Sequence, residues 1–152
     1  RALFSQTIKL QREMRRFMVT MTARILQIIV GFAGLCALVS GLFIRVSRAD
    51  PADIHMLFGL LVTLGLLTIS IISLATARLR AWGFGGIIYA VILPIFGVAQ
   101  STMLVGNLHW LIQALHLLVG IGAIALTSIL GTRYITLKRG MAAPATRPQR
   151  LH

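Results

Sequence analysis

Acidic residues, cysteine and charge in general are scarce in this sequence. Of its 152 residues only three are acidic, 12% are charged and one, Cys36, is a cysteine. Soluble domains average about 25% charged residues, and a chain of this length exposes too much surface to be covered by so few charges. One cysteine forms neither an internal disulfide nor a multi-cysteine metal site. These shortages exclude a soluble enzyme, a disulfide-stabilised secreted domain and a disordered tail.

Long uncharged apolar runs are what the sequence contains instead. Hydrophobic residues make up 57% of the chain, and residues 25–44, 54–77 and 81–132 include no acidic residue, lysine or arginine. A helix needs about 20 residues to cross the hydrocarbon core, so the third run holds two spans, separated by the polar stretch 100–107. In lipid every backbone group must bond within its own segment, which makes the spans helical. The sequence therefore predicts an all-α integral membrane four-helix bundle, 24–135, whose spans are 24–45, 54–77, 82–101 and 107–133.

The basic residues predict the orientation of these spans. Thirteen of the 15 lysines and arginines lie in the N-terminal segment, the second connection and the C-terminal segment, and only Arg45 and Arg48 lie in the first connection. Positive charge concentrates in cytoplasmic loops, so both termini are expected in the cytoplasm, with a bacterial inner membrane as the expected compartment. Because the basic residues flank apolar spans, the net charge of +12 favours the lipid bilayer and other membrane subunits as partners, and no nucleic acid.

Two further segments flank the bundle. Residues 1–23 alternate apolar side chains with Lys9 and arginines, which favours a basic amphipathic helix on the cytoplasmic leaflet. The alternative interpretation is a solvated basic flank without a role of its own. Residues 136–152 contain two prolines and no apolar periodicity, and are expected to form a basic, extended cytoplasmic tail.

A short phrase occurs twice. Residues 54–59 and 115–120 both have the pattern apolar-His-apolar-apolar-apolar-Gly, with His55 and Gly59 in the first copy and His116 and Gly120 in the second. A match over six mostly apolar positions arises easily by chance, so it leaves open whether the bundle consists of two duplicated helical hairpins.

Three histidines are the candidate functional residues. An ionisable side chain in the membrane is costly and marks a functional site by default. His55 and His109 begin their spans, where a histidine beside water is ordinary, whereas His116 lies deeper. A hydroxyl or carbonyl on a neighbouring helix would also satisfy His116. Neutral imidazole otherwise binds haem iron or the magnesium of a chlorophyll.

The depth of each histidine bears on which of them share a metal. Counted back from Arg78 or Arg133 at 1.5 Å per residue, His55, His109 and His116 lie roughly 34, 36 and 26 Å from these charges. Two axial ligands of one haem need matching depth, which favours His55 with His109 over the repeat-related pair. A chlorophyll-type pigment needs one ligand, for which His116 suffices if Gly120 leaves room for a flat ring. The absence of any cofactor remains the third alternative.

The His-x-x-x-Gly phrases at residues 55–59 and 116–120, placed on a four-helix bundle, resemble those of small membrane b-type cytochromes and of one half of haem A synthase. The resemblance is confined to these phrases and does not extend to the loops. It implies haem ligation by His55 and His116 near the outer face of the membrane.

Absent motifs narrow the functional classes. The span interiors contain no acidic residue, lysine or arginine, and the sequence has no phosphate-binding loop, Ser-His-Asp set or Cys-His cluster. Catalytic activity of its own is therefore not expected. The favoured hypothesis is a small membrane subunit that binds b-type haem for electron transfer within a larger complex. The alternatives are a cofactor-free accessory subunit and a (bacterio)chlorophyll-binding subunit.

Overall fold

Four long helices form the protein in the computed structural model, which describes residues 2–47, 52–104 and 106–140. The helices are α1 (Ala2–Ser47), α2 (Ala52–Leu74), α3 (Arg80–Ala99) and α4 (His109–Gly140), and a short 3-10 turn at Ala77–Leu79 joins α2 to α3. Each includes a stretch long and apolar enough to cross a membrane. No strand occurs within the described ranges. The predicted all-α four-helix membrane bundle is confirmed.

Consecutive helices run in opposite directions, so α2 and α4 run parallel to each other. The α2–α3 turn, the part of α1 near Arg24 and the end of α4 lie together at what we call the basic end of the bundle. The connections after α1 and α3 lie at the distal end. Helix α2 is central, since it packs extensively against α1 and α3 and also contacts α4. This arrangement lets side chains of α2 and α4 meet inside the bundle.

The surface of the bundle is apolar, and its interior includes several side chains with hydroxyl groups. Ser70, Ser73 and Thr127 are at most 1% exposed. Their hydroxyls donate to carbonyls of their own helices at 2.6–2.8 Å, which satisfies them without a partner helix. Large apolar side chains such as Phe32 and Leu118 are 66% and 64% exposed. A surface of this kind is stable only against lipid, so the protein is an integral membrane protein.

Close helix contact depends on particular glycines. A Cβ added at Gly83 would lie 2.7 Å from the carbonyl oxygen of Ser70 and 2.9 Å from the amide nitrogen of Leu74. The backbones of α2 and α3 can therefore approach this closely only because position 83 lacks a side chain. At the distal end, Gly106 turns the chain between α3 and α4 with φ +105°, a conformation that residues with a Cβ rarely adopt.

Several element boundaries differ from those expected. Helix α1 continues without interruption from Ala2 into the first span, so the segment before residue 24 is helical but joined to that span. To lie on the leaflet it would have to bend. Such a bend is favoured near Thr20 and Thr22, whose hydroxyls donate to backbone carbonyls three and four residues earlier.

The last span also ends later than expected. Helix α4 continues to Gly140, so residues 136–140 belong to this helix and the expectation that they are extended is wrong. Extended structure was expected because this stretch lacks apolar periodicity, but continuing an established helix costs far less than starting one. Residues 141–152 of the expected tail, like residue 1, lie outside the described residues.

Candidate cofactor site

Two of the three candidate histidines meet near the distal end of the bundle. His55, in the first turn of α2, and His116, two turns into α4, have ring centroids 6.0 Å apart and ring planes inclined by 51°. Both side chains are half-buried. Because they belong to parallel neighbouring helices, the two imidazoles approach each other from opposite sides of one interhelical space.

His55 is held by α1. Its Nδ1 lies 2.9 Å from the carbonyl oxygen of Ala37 and 3.4 Å from the hydroxyl of Ser40. A carbonyl only accepts, so Nδ1 carries the proton and donates it to this bond, and the lone pair of the neutral ring is on Nε2. A Cβ at Gly41 would lie 3.1 Å from Cε1 of His55, so this glycine gives the imidazole its room against α1.

His116 is packed differently. The ring of Phe96 on α3 lies 6.0 Å from it at an interplanar angle of 24°, and a Cβ at Gly97 would lie 3.5 Å from its Cε1. Its Nδ1 is buried and has no hydrogen-bond partner in the described part of the chain. A buried unpaired nitrogen is costly, and sites that bind a ligand are where such groups are found.

Gln113 is a polar residue that the sequence analysis overlooked. Its Oε1 is also buried without a partner among the described residues. It lies three residues before His116 and so on the same side of α4. Gln113 could have been recognised in the sequence as a polar side chain within an uncharged run, but it carries no charge that would mark it.

His109 takes no part in this pair. It is the first residue of α4, and its Nδ1 lies 3.2 Å from the carbonyl oxygen of Met103, within the connection that precedes the helix. This contact fixes the turn at the distal end. The structure brings His55 together with His116, the pair that the short repeat indicates, and not with His109, the partner that the depth comparison favours.

The course of α2 explains why the depth comparison gave the other pair. His55 and His116 are 61 positions apart in sequence, and a Cβ at Gly34 on α1 would touch both Val62 and Ile124, which are 62 apart. Helix α2 ends at Leu74, which in this register is level with Ile135 of α4.

Arg78 and Arg133 are therefore unequal markers of depth. Arg78 lies in the 3-10 turn beyond the end of α2, so a count of 1.5 Å per residue from His55 to Arg78 includes four residues that are not part of this helix. Arg133 lies within α4, and its guanidinium is 4.2 Å from the ring centre of Trp82, in the first turn of α3. Long basic side chains lie along apolar surface and reach outwards, so the position of an arginine is an imperfect marker of the membrane boundary.

Gly59 and Gly120 follow the two histidines by one helical turn, towards the basic end. A Cβ at either position would have no atom within 4 Å, although both residues are partly buried. Neither glycine is required for helix packing in this structure. Both leave open space next to the histidine pair, as a flat ring would require.

The donor set suits a haem better than a metal ion held by protein alone. The described residues contain no group of three or more histidine, cysteine or acidic side chains able to hold a metal. A haem needs only two axial ligands from the protein. Metal–imidazole bonds are about 2 Å long and a ring centre lies roughly 1 Å beyond its nitrogen, so two axial imidazoles have centres roughly 6 Å apart. The observed separation of 6.0 Å agrees with this.

These features define a class: a helical integral membrane protein with an intramembrane histidine pair. Comparisons with protein-family models, with curated proteins and with solved structures find no match to the chain. Its function must therefore be inferred from the site, because a bundle of helices by itself specifies none.

Proposed function

We propose that this protein binds one b-type haem between α2 and α4, with His55 and His116 as axial ligands, and that it transfers electrons as a subunit of a larger membrane complex. The single observation that supports this most directly is the separation of the two imidazoles, which are 6.0 Å apart on facing helices. The resemblance of the two His-x-x-x-Gly phrases to those of membrane b-type cytochromes leads to the same pair.

Each residue of the site has a definable task. The Ala37 carbonyl orients the imidazole of His55 and fixes its tautomer, as the outer partners of metal-ligating histidines generally do. His116 supplies the second imidazole, and Gln113 is the nearest polar side chain on its own helix face able to accept a hydrogen bond from Nδ1. When bound, the haem supplies one-electron chemistry. Two histidine ligands leave no open position on the iron, which favours electron transfer over chemistry on a bound substrate.

The position of the pair suggests where electrons enter or leave. His116 is 17 residues from Arg133, or about 26 Å along α4. The excess of basic residues at the opposite end supports a cytoplasmic location for that end and for both termini. The haem would then lie close to the non-cytoplasmic face of a bacterial inner membrane, where it could exchange electrons with a partner on that side.

An absorption spectrum of the purified full-length protein tests the proposal. We expect a Soret band, sharp α and β bands on reduction, and about one haem per chain by extraction. Carbon monoxide should leave the reduced spectrum unchanged, because both axial positions are occupied by protein. Red or near-infrared pigment bands would instead identify a chlorophyll-binding subunit. A chain that remains colourless after reconstitution with haem would indicate a cofactor-free accessory subunit, and either result would overturn the proposal.

The open space beside Gly120 gives a second prediction. Gly120→Leu should lower the haem content at least tenfold while leaving helicity unchanged, because a Cβ at this position has no atom within 4 Å and the larger side chain occupies space next to His116. Gly31→Leu is the matched control, since a Cβ at Gly31 also has nothing within 4 Å and the residue lies on α1, away from the pair. The ratio of Soret to protein absorbance measures the effect. Full haem content in Gly120→Leu would place the ring elsewhere.

A further inference from the structure

A second feature lies near the basic end, on the outer side of the contact between α3 and α4. An apolar groove of about 330 Å³ is lined by Ala81, Trp82, Gly85, Gly86 and Leu126. A Cβ at Gly85 would meet nothing within 4 Å, so this part of the groove is open. The lining is mostly apolar, so an apolar group fits it best.

A cation stands at one edge of this groove. The guanidinium of Arg133 lies 4.2 Å over the ring of Trp82, which itself lines the groove. Stacking uses the flat face of the guanidinium and leaves its N–H groups, which point outwards in the ring plane, able to donate. Arg133 is exposed, so these donors are open to the membrane interface.

Among the residues that the structure describes, no carboxylate lies near Arg133. The three acidic residues of the chain are Glu13, Asp50 and Asp53. Asp53 lies in the first turn of α2, at the distal end, and Glu13 lies about three turns before Arg24, the arginine of α1 that is level with Arg133. Positive charge next to the groove is increased by the exposed Arg78 in the α2–α3 turn and the exposed Arg80 at the start of α3. An anion from outside the chain is therefore what this cation lacks.

We propose that this groove is a binding site for one anionic phospholipid, whose acyl chain lies against Gly85 and Leu126 and whose phosphate accepts hydrogen bonds from Arg133. Charge complementarity selects the headgroup, since basic pockets between membrane helices bind anionic lipids. The missing side chain at Gly85 provides room for the acyl chain. This site is separate from the histidine pair and does not depend on haem.

Native mass spectrometry of the full-length protein, with phosphatidylglycerol or phosphatidylcholine of identical acyl chains added, tests the proposal. The wild type should retain one phosphatidylglycerol at least tenfold more strongly than phosphatidylcholine. Arg133→Gln should remove this preference. Gly85→Leu should reduce retention of both lipids, since its side chain fills the groove. Arg139→Gln is the matched control, because Arg139 is an exposed arginine of the same helix end that lies outside the groove.

The outcomes are distinguishable. Wild-type retention in both Arg133→Gln and Gly85→Leu would show that lipid adheres without a site. An equal loss in Arg133→Gln and Arg139→Gln would show that total charge, rather than this arginine, attracts the lipid. Either result would overturn the proposal. Unchanged helicity by circular dichroism ensures that each variant is compared in its folded form.

Discussion

His116→Ala is expected to abolish haem binding, and His55→Ala is expected to do the same, while His109→Ala retains the wild-type content. The first two changes each remove one axial ligand from a pair whose rings are 6.0 Å apart. The third removes only a contact to the Met103 carbonyl within the α3–α4 connection. In the ligand variants the haem-to-protein ratio should fall from about one to near zero.

The measurement is haem extraction together with the reduced-minus-oxidised spectrum of each purified variant. Helicity is recorded in parallel, because His55 also bonds to α1 and its loss could loosen that contact. If His109→Ala lost haem and His116→Ala kept it, the ligand pair would be the one suggested by depth alone. If all three variants kept full haem content, no histidine of the spans would be a ligand, and the proposed function would be withdrawn.

Gly83→Ala is expected to produce the largest loss of stability among conservative changes in the bundle. Its new methyl group would lie 2.7 Å from a backbone oxygen and 2.9 Å from a backbone nitrogen of α2, and neither atom can turn away as a side-chain end would. Helices α2 and α3 must then separate. Overpacking of this kind costs about 1–3 kcal/mol of unfolding free energy.

Gly85→Ala is the control for this prediction. It lies two residues away on the same helix, but its methyl group would meet nothing within 4 Å. Alanine is a better helix former than glycine by up to about 1 kcal/mol, so this variant should be unchanged or slightly more stable. Thermal unfolding of both variants in one detergent, followed by circular dichroism, measures the difference. Equal melting temperatures would show that the backbones of α2 and α3 leave room for a methyl group at position 83.

Much of the fold was predictable because lipid imposes simple requirements on a chain. The uncharged runs located all four spans. The polar stretch 100–107 lies between α3, which ends at Ala99, and α4, which begins at His109. The ends of the helices were less predictable. The stretch from residue 136 lacks apolar periodicity and was expected to be extended, yet the backbone there continues α4 to Gly140. A helix need not stop where the hydrocarbon does.

The candidate site was predictable in its residue types but not in its pairing. Three histidines stood out from apolar surroundings, and the repeated phrase nominated His55 with His116. Depth counted along single helices favoured His109, since Arg133 served as a marker of the membrane boundary. The count from His55 to Arg78, however, runs past Leu74, where α2 ends, into the connection to α3. Gln113 was overlooked because an uncharged amide does not interrupt an apolar run.

By itself, the sequence determined that the protein lies in a lipid bilayer, how many spans it has and which few residues are able to bind a cofactor. These properties follow from hydropathy and charge, which can be read along the chain. The tertiary structure alone decided which of those residues meet. The axial register of α2 against α4 brings His55 to His116. Glycines on the other two helices let these pack closely against their neighbours, as at Gly34 of α1 and Gly83 of α3. Such contacts are formed between distant parts of the chain. Sliding α2 or α4 by one turn would leave the composition of the helix unchanged but would displace one histidine by about 5 Å relative to the other.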